Sequence, residues 1–155
     1  MEKDVTIRIY KNDRRLELYE NNVLTYACKI GLGFSPKGHK MREGDGKTPE
    51  GEYYICVKNG DSKFTLFLGI SYPNKKDAEV ALAKKFISQE DYQSIVEYID
   101  SGKRPSWATP LGGEIGIHGK GSKFDWTAGC IALEDEDIKI IWEKAEIGTP
   151  VEIYK

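Results

Sequence analysis

Glu114-Ile115-Gly116-Ile117-His118-Gly119, followed after a short loop by Thr127-Ala128-Gly129-Cys130-Ile131-Ala132-Leu133, is the stretch on which the reading of this chain turns. Ile115 and Ile117 alternate with Gly116 and His118, which is the period of a strand, so the isoleucines take one face and His118 the other. The thiol of Cys130 stands at the end of a loop, just before apolar Ile131 and Leu133. A thiol needs a base to act as a nucleophile, and histidine titrates near neutral pH. A histidine on a strand and a cysteine on a neighbouring turn would hold such a pair within hydrogen-bond reach. Glycines beside the thiol would let backbone N–H groups approach a reacting carbonyl.

Outward from this stretch the pattern is mostly β. Val5, Ile7 and Ile9 alternate with Thr6, Arg8 and Tyr10; Leu16 and Leu18 alternate again; Glu20-Asn21-Asn22 turns the chain into a third strand over 23–30. Residues 31–51 are rich in Gly, Pro, Lys and Asp, a long loop of the kind that is usually functional or mobile. Segments 52–57 and 64–70 read as strands joined by a hairpin turn at Asn59-Gly60-Asp61. The period then changes. Helices are expected over 77–87 and 88–101, the second opened by a Ser88/Asp91 capping box and closed by Gly102. A further helix over 135–145 has an acidic first turn, and Val151 and Ile153 make a last strand. The expectation is one mainly β domain over 1–155 with two or three helices.

Composition excludes several classes. Lys+Arg number 23 against Asp+Glu 25, for a net charge of −2, so nucleic-acid binding gains no support. No apolar run is long enough to span a membrane. Three cysteines make no disulfide framework, and Cys28 and Cys56 read as free thiols in apolar strands. No clustered Cys/His ligand spacing points to a metal, and no cofactor is implied. A Cys-x5-Arg phosphatase needs an arginine where Glu136 stands, and peptidases of the papain type place cysteine before histidine.

The quoted residues resemble a known family. Ile117-His118-Gly119 with Thr127-Ala128-Gly129-Cys130-Ile131 is similar to the signature of the L,D-transpeptidase (YkuD) catalytic domain. Gly44-Asp45-Gly46-Lys47-Thr48-Pro49-Glu50-Gly51 resembles its upstream loop, and Gly148-Thr149-Pro150-Val151 its ending. Tyr72-Pro73-Asn74 and the Trp-Thr-Ala-Gly-Cys run at 126–130 resemble one subgroup. The resemblance implies a β-sandwich or barrel-like fold and a partner in peptidoglycan stem peptides. It implies that Cys130 forms a thioester with a tetrapeptide stem and that an amine of a second stem resolves it, giving a 3→3 cross-link. His118 would move the protons. The N–H groups of Gly129 and Cys130 would bind the oxyanion, each such donor being worth roughly 3–4 kcal/mol of barrier. Thr127 would brace the pocket or bond near the histidine, and Gly119, Trp126, Ala128 and Tyr72 would contact substrate. Ala132 departs from the family, whose members mostly carry arginine or asparagine there; Lys120, Lys123, Lys47 and Arg42 are candidate replacement cations. Alternatives are hydrolysis of the same thioester by an L,D-carboxypeptidase or endopeptidase, and a non-catalytic wall-binding module. As written the chain reads as cytoplasmic, and a leader removed upstream would place it in the cell envelope. Oligomeric state is not legible.

Overall fold

The computed structural model describes residues 4–155; residues 1–3, which open the sequence before the first strand, lie outside the described residues. Eleven elements follow in order: β1 (Val5–Tyr10), β2 (Arg15–Glu20), β3 (Val23–Lys29), β4 (Gly51–Ser62), β5 (Thr65–Ile70), α1 (Lys75–Ala83), α2 (Gln89–Asp100), β6 (Gly116–His118), β7 (Ile131–Ala132), α3 (Asp135–Lys144) and β8 (Pro150–Tyr154). The strands form one sheet in the order β3-β2-β1-β8-β4-β5-β6-β7. All neighbours are antiparallel except β1/β8 and β6/β7. The sheet curls until its ends meet. Just beyond β3, Gly31 bridges Ala132 of β7, and Gly33 bridges Thr127. The barrel-like, mainly β architecture with three helices is the one the sequence predicts.

The alternation read from sequence sets the register. Ile7, Ile9, Leu16, Leu18, Val151 and Ile153 point inward and are buried together with Ile55, Leu68, Ile70 and Ile117. Strands alternate faces at every residue, so a one-residue slip would turn this set to solvent. The helices cover one flank. Ser88 and Asp91 form the expected capping box, and Gly102 follows α2 with φ +70. The first helix starts at Lys75 rather than 77, because Asn74 and Asp77 form a second capping box. Ile138, Ile141 and Ala145 bury one face of α3. Trp142 packs beside them as a core residue, its ring capped by the Lys58 ammonium at 4.4 Å.

The hairpin turn is not where the sequence predicts. Asn59-Gly60-Asp61 lies inside β4, at a register irregularity, and the chain reverses at Lys63-Phe64. Gly60 lies flat against the Trp142 ring, 3.6 Å from a built Cβ, and is used for packing rather than for reversal. The shift moves Phe64 from a strand to the turn beside His118.

The long loop over 31–50 is held rather than loose. Lys11 is buried, and its ammonium donates to Gly38 O (2.8 Å), Thr48 O (2.7 Å) and Glu50 Oε2 (3.0 Å), three acceptors for three donors. Thr48 Oγ1 accepts from Gly33 N at 3.0 Å. Gly33 sits so close to the loop that a Cβ there would lie 2.1 Å from Gly46 O and 3.0 Å from Gly129 Cα. Three backbone segments meet at this point with no side chain between them. Gly33→Ala is expected to lower unfolding free energy by about 1–3 kcal/mol and to loosen the Cys130 turn. Urea unfolding with an unchanged midpoint would show that the contact is slack.

Candidate active site

Cys130 stands between the loop 119–129 and β7, and His118 ends β6. The parallel β6/β7 ladder pairs Ile117 with Ile131 and His118 with Ala132, which brings the two motif halves side by side. The turn at the thiol is built by Thr127. Its hydroxyl donates to Cys130 O at 2.8 Å and accepts from Gly129 N at 3.1 Å. Gly129 has φ +147, a conformation open to glycine, and a Cβ there would lie 2.8 Å from Lys47 O. Thr127 therefore braces the turn and does not bond to the histidine. Because its hydroxyl occupies the Gly129 N–H, the expected pair of oxyanion donors is reduced in this state to the Cys130 N–H.

His118 is 1% exposed. Its Nδ1 lies 2.7 Å from Gly119 O. A carbonyl only accepts, so Nδ1 carries the proton and Nε2 is left as the basic nitrogen. Phe64 stacks on the ring at 4.4 Å between centroids and 23°, and Trp126 meets it edge-on at 5.6 Å. Burial pushes the His118 pKa down from the ordinary 6.5, against the Gly119 hydrogen bond.

The thiol and the imidazole do not hydrogen-bond to each other here. Cys130 Sγ donates instead to Glu114 O at 3.3 Å, where Glu114 has φ +55. Burial pushes the Cys130 thiol up to about 11, opposed by the Gly116 N–H and the charge of Lys40. Cys28 and Cys56 are also free and are pushed up by burial to about 12. The resting site holds a neutral thiol beside a neutral imidazole, because desolvation outweighs every attraction available to the thiolate.

Several expected substrate contacts are placed elsewhere. Tyr72 is fully buried; its hydroxyl donates to Leu111 O at 2.9 Å, so it supports the fold from within and lines no cleft. Gly119 is also buried, with Asp135 Oδ1 2.5 Å and Phe64 O 2.9 Å from a built Cβ, and its carbonyl accepts from His118. Ala128 is exposed beside the thiol. Trp126 donates from Nε1 to Gly121 O at 3.0 Å and forms, with Phe64 and Phe124, a wall of a cavity of about 750 Å³. A larger cavity of about 1290 Å³ lies between loop residues such as Lys40 and Asp45 and the helices α1 and α2. Neither cavity has Cys130 or His118 in its lining.

Asp125 does not orient His118. It pairs with Arg14 at 2.8 Å and accepts from Leu32 N at 2.9 Å, tying the motif loop to the β1–β2 turn. His39 is built into the loop: Glu50 N donates to Nδ1 at 2.8 Å, so Nε2 carries the proton and donates to Asp77 Oδ1 at 2.7 Å. Sequence reasoning missed three participants. Glu114 acts through its carbonyl, and Phe64 arrives by the shifted turn. Lys40 is 3% exposed and bonded to Asp45; its Nζ comes within 3.7 Å of a Cβ built on Gly129. Only Lys40 had a signal, its place four residues before the 44–51 motif.

A sequence model of the YkuD family, described as the L,D-transpeptidase catalytic domain, matches residues 4–153. The chain belongs to that family. It is 32% identical over 97 residues to YafK of Escherichia coli strain K12, an alignment covering 56% of this chain and 38% of YafK. Its fold is similar to that of Pgp2 from Campylobacter jejuni, a helical cell shape determining protein, with a TM-score of 0.65, 25% identity, and 99% of this chain and 48% of that one covered. It also superposes on LdtMt1, an LD transpeptidase solved with imipenem, with a TM-score of 0.53, 12% identity, and 98% and 59% covered. The chain thus spans about half the length, or less, of YafK and Pgp2. No metal-binding cluster of His, Cys, Asp and Glu occurs among the described residues, and none of their helices is long and apolar enough to cross a membrane.

The shifted groups set a pH dependence. His118 stays neutral until pH falls below 6.5, and Cys130 keeps its proton up to about 11. If the neutral pair is the competent state, acylation of Cys130 should hold a plateau from about pH 6.5 through 9.0, the ordinary thiol value, and fall only on the acid side. A bell centred below neutral would instead mark a thiolate–imidazolium pair. Thr127→Val should remove both bonds at the turn, lower stability by about 1–3 kcal/mol and slow Cys130 acylation, whereas Thr127→Ser should retain both.

Proposed function

We propose that this domain is a cysteine-dependent L,D-transpeptidase acting on peptidoglycan stem peptides in the cell envelope. The observation that carries this reading is the tautomer of His118, which leaves Nε2 unprotonated on the strand next to Cys130. The family supplies the substrate class.

The thiol leaves Glu114 O and gives its proton to His118 Nε2, and the sulfur attacks the carbonyl of the donor stem. The Cys130 N–H stabilises the oxyanion. Collapse breaks the amide bond to the terminal D-alanine, whose amine takes the proton back from His118. An amine of a second stem then attacks the thioester and gives a proton to His118, which passes it to the departing Cys130 sulfur as the 3→3 cross-link forms. His118 can serve both steps because burial keeps it neutral between them. Aromatic shielding by Phe64 and Trp126 keeps water from the ring, which supports an amine acceptor over hydrolysis.

The test is acylation by a carbapenem, read by intact mass and peptide mapping. A single adduct on Cys130 in the wild type, reduced at least a hundred-fold in rate by His118→Ala, is expected from the usual weight of general-base catalysis. Disaccharide tetrapeptide as sole substrate should then yield cross-linked dimer. Release of D-alanine with tripeptide as the only product would move the reading to an L,D-carboxypeptidase. Absence of any Cys130 adduct, with retained binding to isolated cell wall, would replace catalysis by a binding module.

A further inference from the structure

Lys40 carries an ammonium into the interior. Its side chain is 3% exposed, and Nζ donates to Asp45 Oδ1 at 3.0 Å and to Arg42 O at 3.1 Å. An ammonium has three donors. Lys11, the other buried lysine, spends all three on protein acceptors; Lys40 has two acceptors among the described residues. Asp45 does not depend on it. The carboxylate also accepts from the backbone N–H groups of Met41, Arg42 and Lys47 at 2.9, 3.1 and 3.1 Å. Burial alone would push the Asp45 carboxyl up, yet these bonds and Lys40 hold it below the usual value. A buried ion pair adds little to stability over an apolar replacement. What distinguishes Lys40 is its position, with Nζ 3.7 Å from a Cβ built on Gly129, the residue before the thiol.

We propose that Lys40 is a positioning residue for the nucleophile, its ammonium held by Asp45 behind the Gly129 turn so as to stabilise negative charge as it develops on Cys130 Sγ. Among charged groups, Lys40 favours thiolate and the Glu114 carboxylate opposes it; neutral His118 receives the proton. Among the described residues no other cation lowers the Cys130 thiol pKa. No arginine follows Cys130 in the sequence, and Ala132, two residues after the thiol, is fully buried against the sheet closure. Lys47 turns away to Lys37 O at 2.9 Å, and Arg42 is exposed. The inference rests on the reading that Cys130 is the nucleophile.

The experiment is the rate of Cys130 alkylation by iodoacetamide in the full chain, resolved by peptide mapping, at one pH below 9.0, the ordinary thiol value. Lys40→Met should slow alkylation about ten-fold, equivalent to a one-unit rise in thiol pKa, with Cys28 and Cys56 unaffected. Lys40→Arg should restore most of the rate. Asp45→Asn removes the counter-charge while keeping one acceptor oxygen, and should speed alkylation. Loss of loop structure would move Lys40→Met and Asp45→Asn in the same direction, so opposite signs carry the inference. If Lys40→Met does not fold, Lys40→Gln takes its place in the comparison, with the same sign expected. An unchanged rate in Lys40→Met, or slowing in Asp45→Asn, overturns it. Wild-type Cys130 reacting no faster than Cys28 and Cys56 would instead overturn the nucleophile reading itself.

Discussion

The bridge between Gly31 and Ala132 is the contact on which the site depends. Gly31 N donates to Ala132 O at 2.8 Å, and Ala132 N returns a bond to Gly31 O at 2.9 Å. These two bonds join the segment after β3 to β7 and close the curled sheet. The edge strands would otherwise present unpaired backbone groups. Closure also fixes Cys130, because it is two residues from one partner and Gly33 two residues from the other. Gly31 cannot gain a side chain, since a Cβ would lie 2.5 Å from Phe124 O. The loop carrying Trp126 and Thr127 is thereby pressed against the closure, and the turn bearing Cys130 inherits its position from the sheet.

Electrostatics at this site is dominated by what burial forbids. Two groups that in water would exchange a proton readily are held in their neutral forms, the thiol raised and the imidazole lowered. Both shifts follow from one cause, the cost of charge away from water. The backbone opposes that cost at defined points: Gly119 O fixes the imidazole tautomer, and Gly116 N–H faces the sulfur. A neutral pair does not react indiscriminately with passing electrophiles. Either charge would become stable only with a partner to take it, which an arriving acyl group would supply to a half-buried thiol.

Much of the fold is legible in local periodicity. Alternation over 5–10 and 15–20, the Ser88/Asp91 cap and the acidic start of α3 each reflect constraints that act within a few residues. The β4–β5 turn is not legible at Asn59-Gly60-Asp61, because a turn signal in sequence does not reveal that Trp142, more than eighty positions away, lies over Gly60. The same limit governs the site. His118, Cys130 and the loop 44–51 are marked by residue type and spacing. Tyr72, Gly119 and Lys40 are not, because whether a side chain faces a cleft or the interior depends on contacts that the sequence does not order. Asp125 shows the point most plainly. Nothing in the sequence around it points to Arg14, 111 positions away, which takes its carboxylate.

The polar interior around the motif has a structural logic that the apolar core lacks. Isoleucines and leucines tolerate exchange of shape if volume is kept. Lys11, Thr48, Asp45 and Thr127 do not, since each satisfies named donors or acceptors in backbone that has no strand ladder to bond with. A loop of some twenty residues without regular structure would leave many buried N–H and C=O groups unpaired. Here a few side chains take the place of the missing ladder, anchoring the loop from β1 on one side and pressing it against Gly33 and Gly129 on the other. The 44–51 motif is therefore best understood as a scaffold. Its aspartate and threonine bind backbone, its glycines permit close approach, and the consequence of both is that the turn bearing Cys130 has one position to occupy.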